Sequence, residues 1–292
     1  MRVNPLYVSN LVAALDQTVV TQQQLTQQLA SGKRVNSPSD DPVASGQNVL
    51  LSNQISKDDT FTRTSTSTQG MLQVTDTALG SVVSRLTAAI ALATAANNGT
   101  MNAANLQSIS AQIAGIRDEV ISLANTSYLG VYVFAGSMGS TVPFPTATGG
   151  YQGGSTVNTI KTPNGQSIQL NVTGDQIFTA PGNDVLNTLN QLVADFAGYP
   201  AAATAAADTQ KLTSVLNYVG GQRVVIDNSI TRLSSAQGAA QSEATQLLSA
   251  QTELIQADYA KVATGLSAAQ TQQAALSQVI AKLGKGSLFD YL

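Results

Sequence analysis

The stretch IQADYAKVATGLSAAQTQQAALSQVIAKL, from Ile255 to Leu283, places Ile255, Tyr259, Val262, Leu266, Ala269, Gln273, Leu276, Ile280 and Leu283 at alternating steps of four and three. That spacing is a heptad seam on one helix. At about 1.5 Å per residue the helix runs for about 42 Å, and its other faces carry Gln, Thr, Ser and Ala. The large apolar seam residues gain roughly 1.5–3 kcal/mol each when fully buried, against roughly 1–2 kcal/mol of backbone entropy for every residue ordered. Alone, the segment is therefore mostly unfolded and calls for a partner.

A partner of the same kind lies at the other end of the chain. Val8, Leu11, Leu15, Thr18, Gln22, Leu25 and Leu29 repeat the three-four spacing, so the two ends are expected to pair as antiparallel helices. Thr18 and Gln22 interrupt the stripe. Each helix pair then needs neighbouring subunits to complete its burial, which predicts ends that order on assembly. The expected fold class is mainly α, an antiparallel long-helix bundle or coiled coil made by both chain ends, with an inserted β-rich domain.

Composition narrows the chemistry. Of 292 residues only 11% are charged, the net charge is −3, and Cys, His and Trp are all absent. Thiol, imidazole and zinc-finger chemistry are excluded, and no cofactor or metal site is expected. The charge balance and the lack of a Lys/Arg cluster argue against nucleic-acid binding. No run is expected to reach transmembrane length, and no membrane partner is expected. The N-terminus lacks the pattern of a cleaved secretory signal, since Arg2 is its only basic residue and Asn10, Asp16 and Gln17 break the apolar run.

The N-terminal helix is expected to stop near Ala30-Ser31-Gly32, with Gly32 as left-handed cap and Lys33-Arg34 favouring the negative helix end. In the run Asn36-Ser37-Pro38-Ser39-Asp40-Asp41-Pro42, Asp41 reads as an N-cap and Pro42 as the first helical residue. Adjacent Asp40 and Asp41 read as capping groups rather than as an acid-base or metal pair.

This run, from Leu29 through Ser31, Gly32, Lys33, Arg34, Asn36, Pro38, Asp40 and Asp41 to Pro42, resembles the N-terminal signature of bacterial flagellins and their relatives. The Pro38–Ser45 segment, the opening Met1-Arg2-Val3 and the closing Ser287–Leu292 resemble the hook-associated members at the hook-filament junction more than the filament subunit. The resemblance implies a flagellin-like fold in an extracellular, self-assembling structural subunit of the flagellum. Such a subunit is exported through the flagellar type III apparatus without a cleaved signal peptide. The partners it implies are copies of the chain itself, another hook-associated protein on the hook side, flagellin on the filament side, and an export chaperone on the C-terminal region. In flagellins the helix preceding the first turn bears a charged patch read by an immune receptor. Here Arg85 is followed by Leu86-Thr87-Ala88-Ala89-Ile90-Ala91, which reads as a packed helix face.

Between the ends, one long helix is expected to about Ala96, with a Thr/Ser-rich weak patch from Thr62 to Thr68 that predicts a bend or support from packing. A second helix carries Leu106, Ile109, Ile113, Ile116, Val120 and Leu123 and folds back on the first. From Leu129 the period switches to two. Strands are expected at Val131–Phe134, Ile168–Val172 and Asp175–Phe178, with a hairpin turn at Gly165. Tyr132, Phe134, Phe144, Tyr151 and Phe178 read as the core of this part rather than as a carbohydrate platform, and glycines 149, 150, 153 and 154 make no nucleotide-binding fingerprint. Asn183 is the expected cap of a helix that ends at Tyr199-Pro200, followed by a very long helix weakened at Gly220-Gly221 and Gly238. Its seam changes phase near Leu247-Leu248 and Leu254-Ile255, which marks a change of neighbours.

The expected divisions are an assembly helix and turn at 1–40, rod segments at 41–128 and 183–254, the β-rich part at 129–182, and an assembly helix at 255–292. The predicted interface residues are Val8, Leu11, Leu15, Leu25, Leu29, Ile255, Tyr259, Val262, Leu266, Leu276, Ile280 and Leu283. No nucleophile-base pair supports an enzyme. The alternative within the structural class is the filament subunit itself.

Overall fold

The computed structural model describes residues 5–145 and 150–285. Met1-Arg2-Val3, Gly149, the closing Ser287–Leu292 and the side chain of Leu283 lie outside the described residues. The elements are, in chain order, α1 (Pro5–Ser31), α2 (Pro42–Ala96), α3 (Ala103–Ala124), β1 (Ser127–Tyr128), β2 (Val131–Tyr132), β3 (Thr159–Lys161), β4 (Ser167–Gln169), α4 (Gly174–Phe178), β5 (Thr179–Ala180), β6 (Asn183–Asp184), α5 (Val185–Asp195), α6 (Ala205–Ile255) and α7 (Tyr259–Lys285). The chain forms two compact units. One comprises Met1–Lys57 and Glu243–Leu292, the other Asp58–Ser242.

In the second unit, one side of α2 supplies Leu72, Leu79, Val82, Leu86, Ala89 and Ala93, all fully buried. They meet Leu106, Ile113 and Val120 of α3, Leu189 and Leu192 of α5, and Leu212, Val219, Ile226 and Leu233 of α6 in one hydrophobic core. Asn102 caps α3 by accepting the Asn105 N–H at 2.8 Å. The Thr62–Thr68 patch stays helical, with Phe61 anchored in the core beside it, and Thr64 and Thr66 return their hydroxyls to the carbonyls of Thr60 and Thr62. Contrary to the expectation about apolar runs, α2 is long and apolar enough over 18 residues to cross a membrane by composition. Its buried face packs in the core just described.

The strands are shorter than the alternating pattern predicts. Among the described residues they form three separate two-stranded antiparallel pairs, β1 with β2, β3 with β4 and β5 with β6. The expected strand at Asp175–Phe178 is helical instead, since it falls in α4, where Ile177 and Phe178 turn inward together. Of the five aromatic residues expected in the core, Phe134, Phe144 and Phe178 are fully buried and Tyr151 packs against them, while Tyr132 is half-buried outside it. Phe134 and Phe144 each meet Phe178 edge-on, at centroid distances of 5.3 and 5.5 Å. Asp184, not Asn183, caps α5 by accepting the Asn187 N–H at 2.8 Å, while Asn183 pairs with Ala180 across β5 and β6.

In the first unit, α1 and α7 lie side by side. They run antiparallel, since Gly32 abuts Tyr259 at one end and Leu25 abuts Gly265 further along. The single helix expected from Ile255 to Leu283 is broken. Ile255 ends α6, Gln256, Ala257 and Asp258 cross to α7, and Asp258 caps the new helix by accepting the N–H groups of Ala260 and Lys261 at 3.0 and 3.1 Å. The three-four spacing continues through this break because Ile255 to Tyr259 is itself a step of four.

Candidate assembly interface

The candidate interface begins at the joint where the signature turn meets the break between α6 and α7. Gly32 adopts φ +69, a conformation natural to glycine, and ends α1 by donating its N–H to Gln28 O at 2.9 Å. The next residues then form a short antiparallel bridge. Arg34 N–H donates to Ile255 O at 2.7 Å and Ala257 N–H to Gly32 O at 2.9 Å, flanking the pair Lys33 and Gln256. The Arg34 guanidinium donates to Asp41 Oδ2 at 2.9 Å and to Leu254 O at 3.1 Å. It therefore serves the start of α2 and the carbonyl end of α6, rather than the end of α1 as its position in sequence implied.

The carboxylates of the turn are structural. Asp40 Oδ2 accepts the N–H groups of Asn36 and Ser37 at 3.0 and 2.8 Å, and Asn36 Nδ2 donates to Lys33 O at 2.9 Å. Asp41 Oδ1 accepts the Ala44 N–H at 3.0 Å, which caps α2 with Pro42 in its first position. The Ala44 N–H, and after it the Arg34 side chain, holds the Asp41 carboxyl below its ordinary value of 3.8. Ser31 Oγ accepts the Lys33 N–H at 3.1 Å, and Pro38 stands exposed.

From the joint the α1–α7 seam extends with its burial incomplete. Val262, Ala269 and Thr18 are buried, and Thr18 satisfies its hydroxyl on Ala14 O at 2.8 Å. Val8, Leu11, Leu15, Leu25, Ile255, Leu266, Leu276 and Ile280 are only half-buried. Leu29 and Tyr259 are outside the seam, 41% and 52% exposed. The step of four from Leu25 carries Leu29 to the edge beside the Gly32 cap, and the Tyr259 ring lies over Gly32. Gln22 Nε2 is buried with no acceptor, a state that costs free energy in a monomer.

A second apolar surface was not read from the sequence. Gln47, Leu50 and Leu51 of α2 and Ala250 and Leu254 of α6 line a groove in the same unit. Val43, Val49 and Leu248 are exposed nearby in sequence, and Leu50 is 69% exposed. The available signal was Val49-Leu50-Leu51: three consecutive apolar residues spread over about 200° of a helix and cannot share one buried face. Charge is also missing here. Residues 17–32, 42–56, 244–252 and 262–281 contain no Asp, Glu, Lys or Arg. Among the described residues there is no cluster of three or more potential metal ligands.

The first unit, with long terminal helices closed by a capped joint, and the second, a helical unit with short hairpins, have a flagellin-like fold, and residues 6–138 match the bacterial flagellin N-terminal helical region. The chain is 34% identical over 157 residues to the flagellar hook-associated protein 3 of Salmonella typhimurium, covering 53% of this chain and 50% of that protein. It is 33% identical over 153 residues to the flagellar hook-associated protein 3 of Escherichia coli, covering 52% of this chain and 48% of that protein. The chain thus matches about half the length of these relatives. The fold is also that of the flagellar junction protein of Legionella pneumophila, with a TM-score of 0.58 and 13% identity over 72% of this chain and 99% of the other.

Proposed function

We propose that this chain is a structural subunit of the bacterial flagellum that assembles with copies of itself at the hook-filament junction. It joins another hook-associated protein on the hook side to flagellin on the filament side. The observation that carries the reading is the half-open, charge-free seam of α1 and α7. Most of its apolar residues reach only partial burial within one chain, so neighbouring copies gain by covering them. The name carried by the relatives from Salmonella and Escherichia supports the junction rather than the filament body. Segments 1–40 and 255–292 are the assembly ends in this reading. Export without a cleaved signal, aided by a chaperone on the C-terminal region, accords with ends that order only on assembly. The chain has no catalytic role in this reading.

Immunogold electron microscopy of intact cells, with antibody raised against segment 129–182, tests the position. One narrow band between hook and filament is the expected result. Label along the whole filament would establish the second reading, a filament subunit, which the flagellin helical region equally accommodates.

A further inference from the structure

The second unit holds an acidic pair where α5 hands over to α6. Asp195, the last residue of α5, is only 7% exposed. Its Oδ1 accepts the Thr204 hydroxyl at 2.6 Å, and its carbonyl accepts the Ala202 N–H at 2.9 Å, so the connection folds back and brings the first turn of α6 against the end of α5. Asp195 Oδ2 is buried and meets no donor. Asp208, in the first turn of α6, donates its N–H at 2.9 Å to the carbonyl of Thr204, the residue whose hydroxyl holds Asp195, and its carboxyl neighbours that of Asp195. Two facing carboxylates with no donor between them repel each other, and a single proton converts that repulsion into a strong O–H···O⁻ hydrogen bond.

We propose that Asp195 and Asp208 share one proton, and that this proton is a pH-sensitive clasp between α5 and α6. The Asp208 carboxylate takes the proton from solvent and donates it to Asp195 Oδ2, while Asp195 Oδ1 keeps its bond from Thr204. The pair then bears one negative charge instead of two. Of the surrounding groups, only Lys211, on α6 itself, opposes protonation. Residues 86–96 of α2 and 103–116 of α3 carry no charge. They approach through neutral contacts: the Ser110 hydroxyl donates to Val193 O at 2.7 Å, and next to the end of α2 Asn97 Nδ2 donates to Thr209 Oγ1 at 3.0 Å. Burial, and after it the neighbouring Asp195, raises the Asp208 carboxyl above its ordinary value of 3.8. A raised folded value means that the clasp is fully present below pH 3.8 and is lost as the pH rises through the folded value.

The test uses the full-length protein with carboxyl carbons labelled for NMR, together with the variants D195N and D208N. Asparagine keeps the shape and supplies an N–H donor without needing a proton. The Asp208 titration midpoint is expected above 3.8 in the wild type and lower in D195N than in the wild type. The thermal midpoint of the wild type is expected to fall relative to that of D208N as the pH is raised from this value to neutrality. An Asp208 midpoint unchanged by D195N, or parallel thermal profiles for wild type and D208N, overturns the proposal. So does a thermal midpoint at neutral pH that calcium chloride raises in the wild type but not in D208N, because the pair would then hold a metal ion instead of a proton.

Discussion

Gly32 and Leu129 are both held at positive φ, and they lead to opposite expectations. Gly32→Ala places a Cβ in the left-handed region, 2.7 Å from the Tyr259 hydroxyl, and is expected to destabilise the first unit by about 1–2 kcal/mol in urea unfolding. Leu129 sits at φ +50 in the two-residue turn between β1 and β2 with its side chain 82% exposed, so the strain has no burial to offset it. Leu129→Asn is expected to raise the stability of the second unit by up to about 1 kcal/mol, since Asn tolerates this turn position. Asp41, with a lowered folded value, contributes stability above the ordinary carboxylate range, and that contribution is lost as the pH falls through its folded value. Circular dichroism on acidification is expected to show Asp41→Asn unfolding with a weaker pH dependence than the wild type. Tyr151 shares its single hydroxyl proton between Phe134 O and Gly154 O, and burial, followed by the nearby Asp175, pushes its hydroxyl up to about 12. Gly32 and Asp41 were legible in the sequence because caps depend on nearest neighbours. Asp195, Leu129 and the Tyr151 hydroxyl were not, because their surroundings are set by residues brought in by tertiary packing.

At the level of elements, burial separates two kinds of helix. Leu79 of α2 is fully buried, and Leu79→Ala is expected to cost about 2–5 kcal/mol in chemical unfolding. Leu266 of α7 is half-buried, so Leu266→Ala is expected to cost much less in the dilute monomer while slowing assembly, as followed by light scattering. Equal effects of the two substitutions on monomer stability would mean that the seam is already complete within one chain. The long helices were legible because their three-four pattern repeats over many turns. The break at Gln256–Asp258 was hidden, since apolar spacing is unchanged across it and only Asp258 as a cap marks it. Within the β-rich stretch, residues 175–178 carry strand-forming side chains, yet Ile177 and Phe178 both gain burial by turning into the core on α4.

For the molecule as a whole, the first unit combines a capped joint with a seam that stays open, while the second has a continuous core. Limited proteolysis of the dilute monomer is therefore expected to remove residues before about Gly32 and after about Leu254 quickly and to leave the second unit intact. Equal protection of both would contradict assembly-dependent ordering of the ends. That the two ends pair was legible from matching stripes, whereas the groove beside Leu50 and Leu254 was not, since it depends on α2 and α6, far apart in sequence, meeting within the first unit.

The bond from Arg34 to Leu254 O spans 220 positions of the chain. Closing so long a loop costs only about 0.6 kcal/mol more than closing one half its length, so sequence distance barely weakens the joint once it has formed. Its effect is on timing. A polypeptide delivered residue by residue, from either terminus, holds one end helix without its counterpart until almost all of the remainder has arrived. During that interval the unpaired helix is available to whatever surface it meets first.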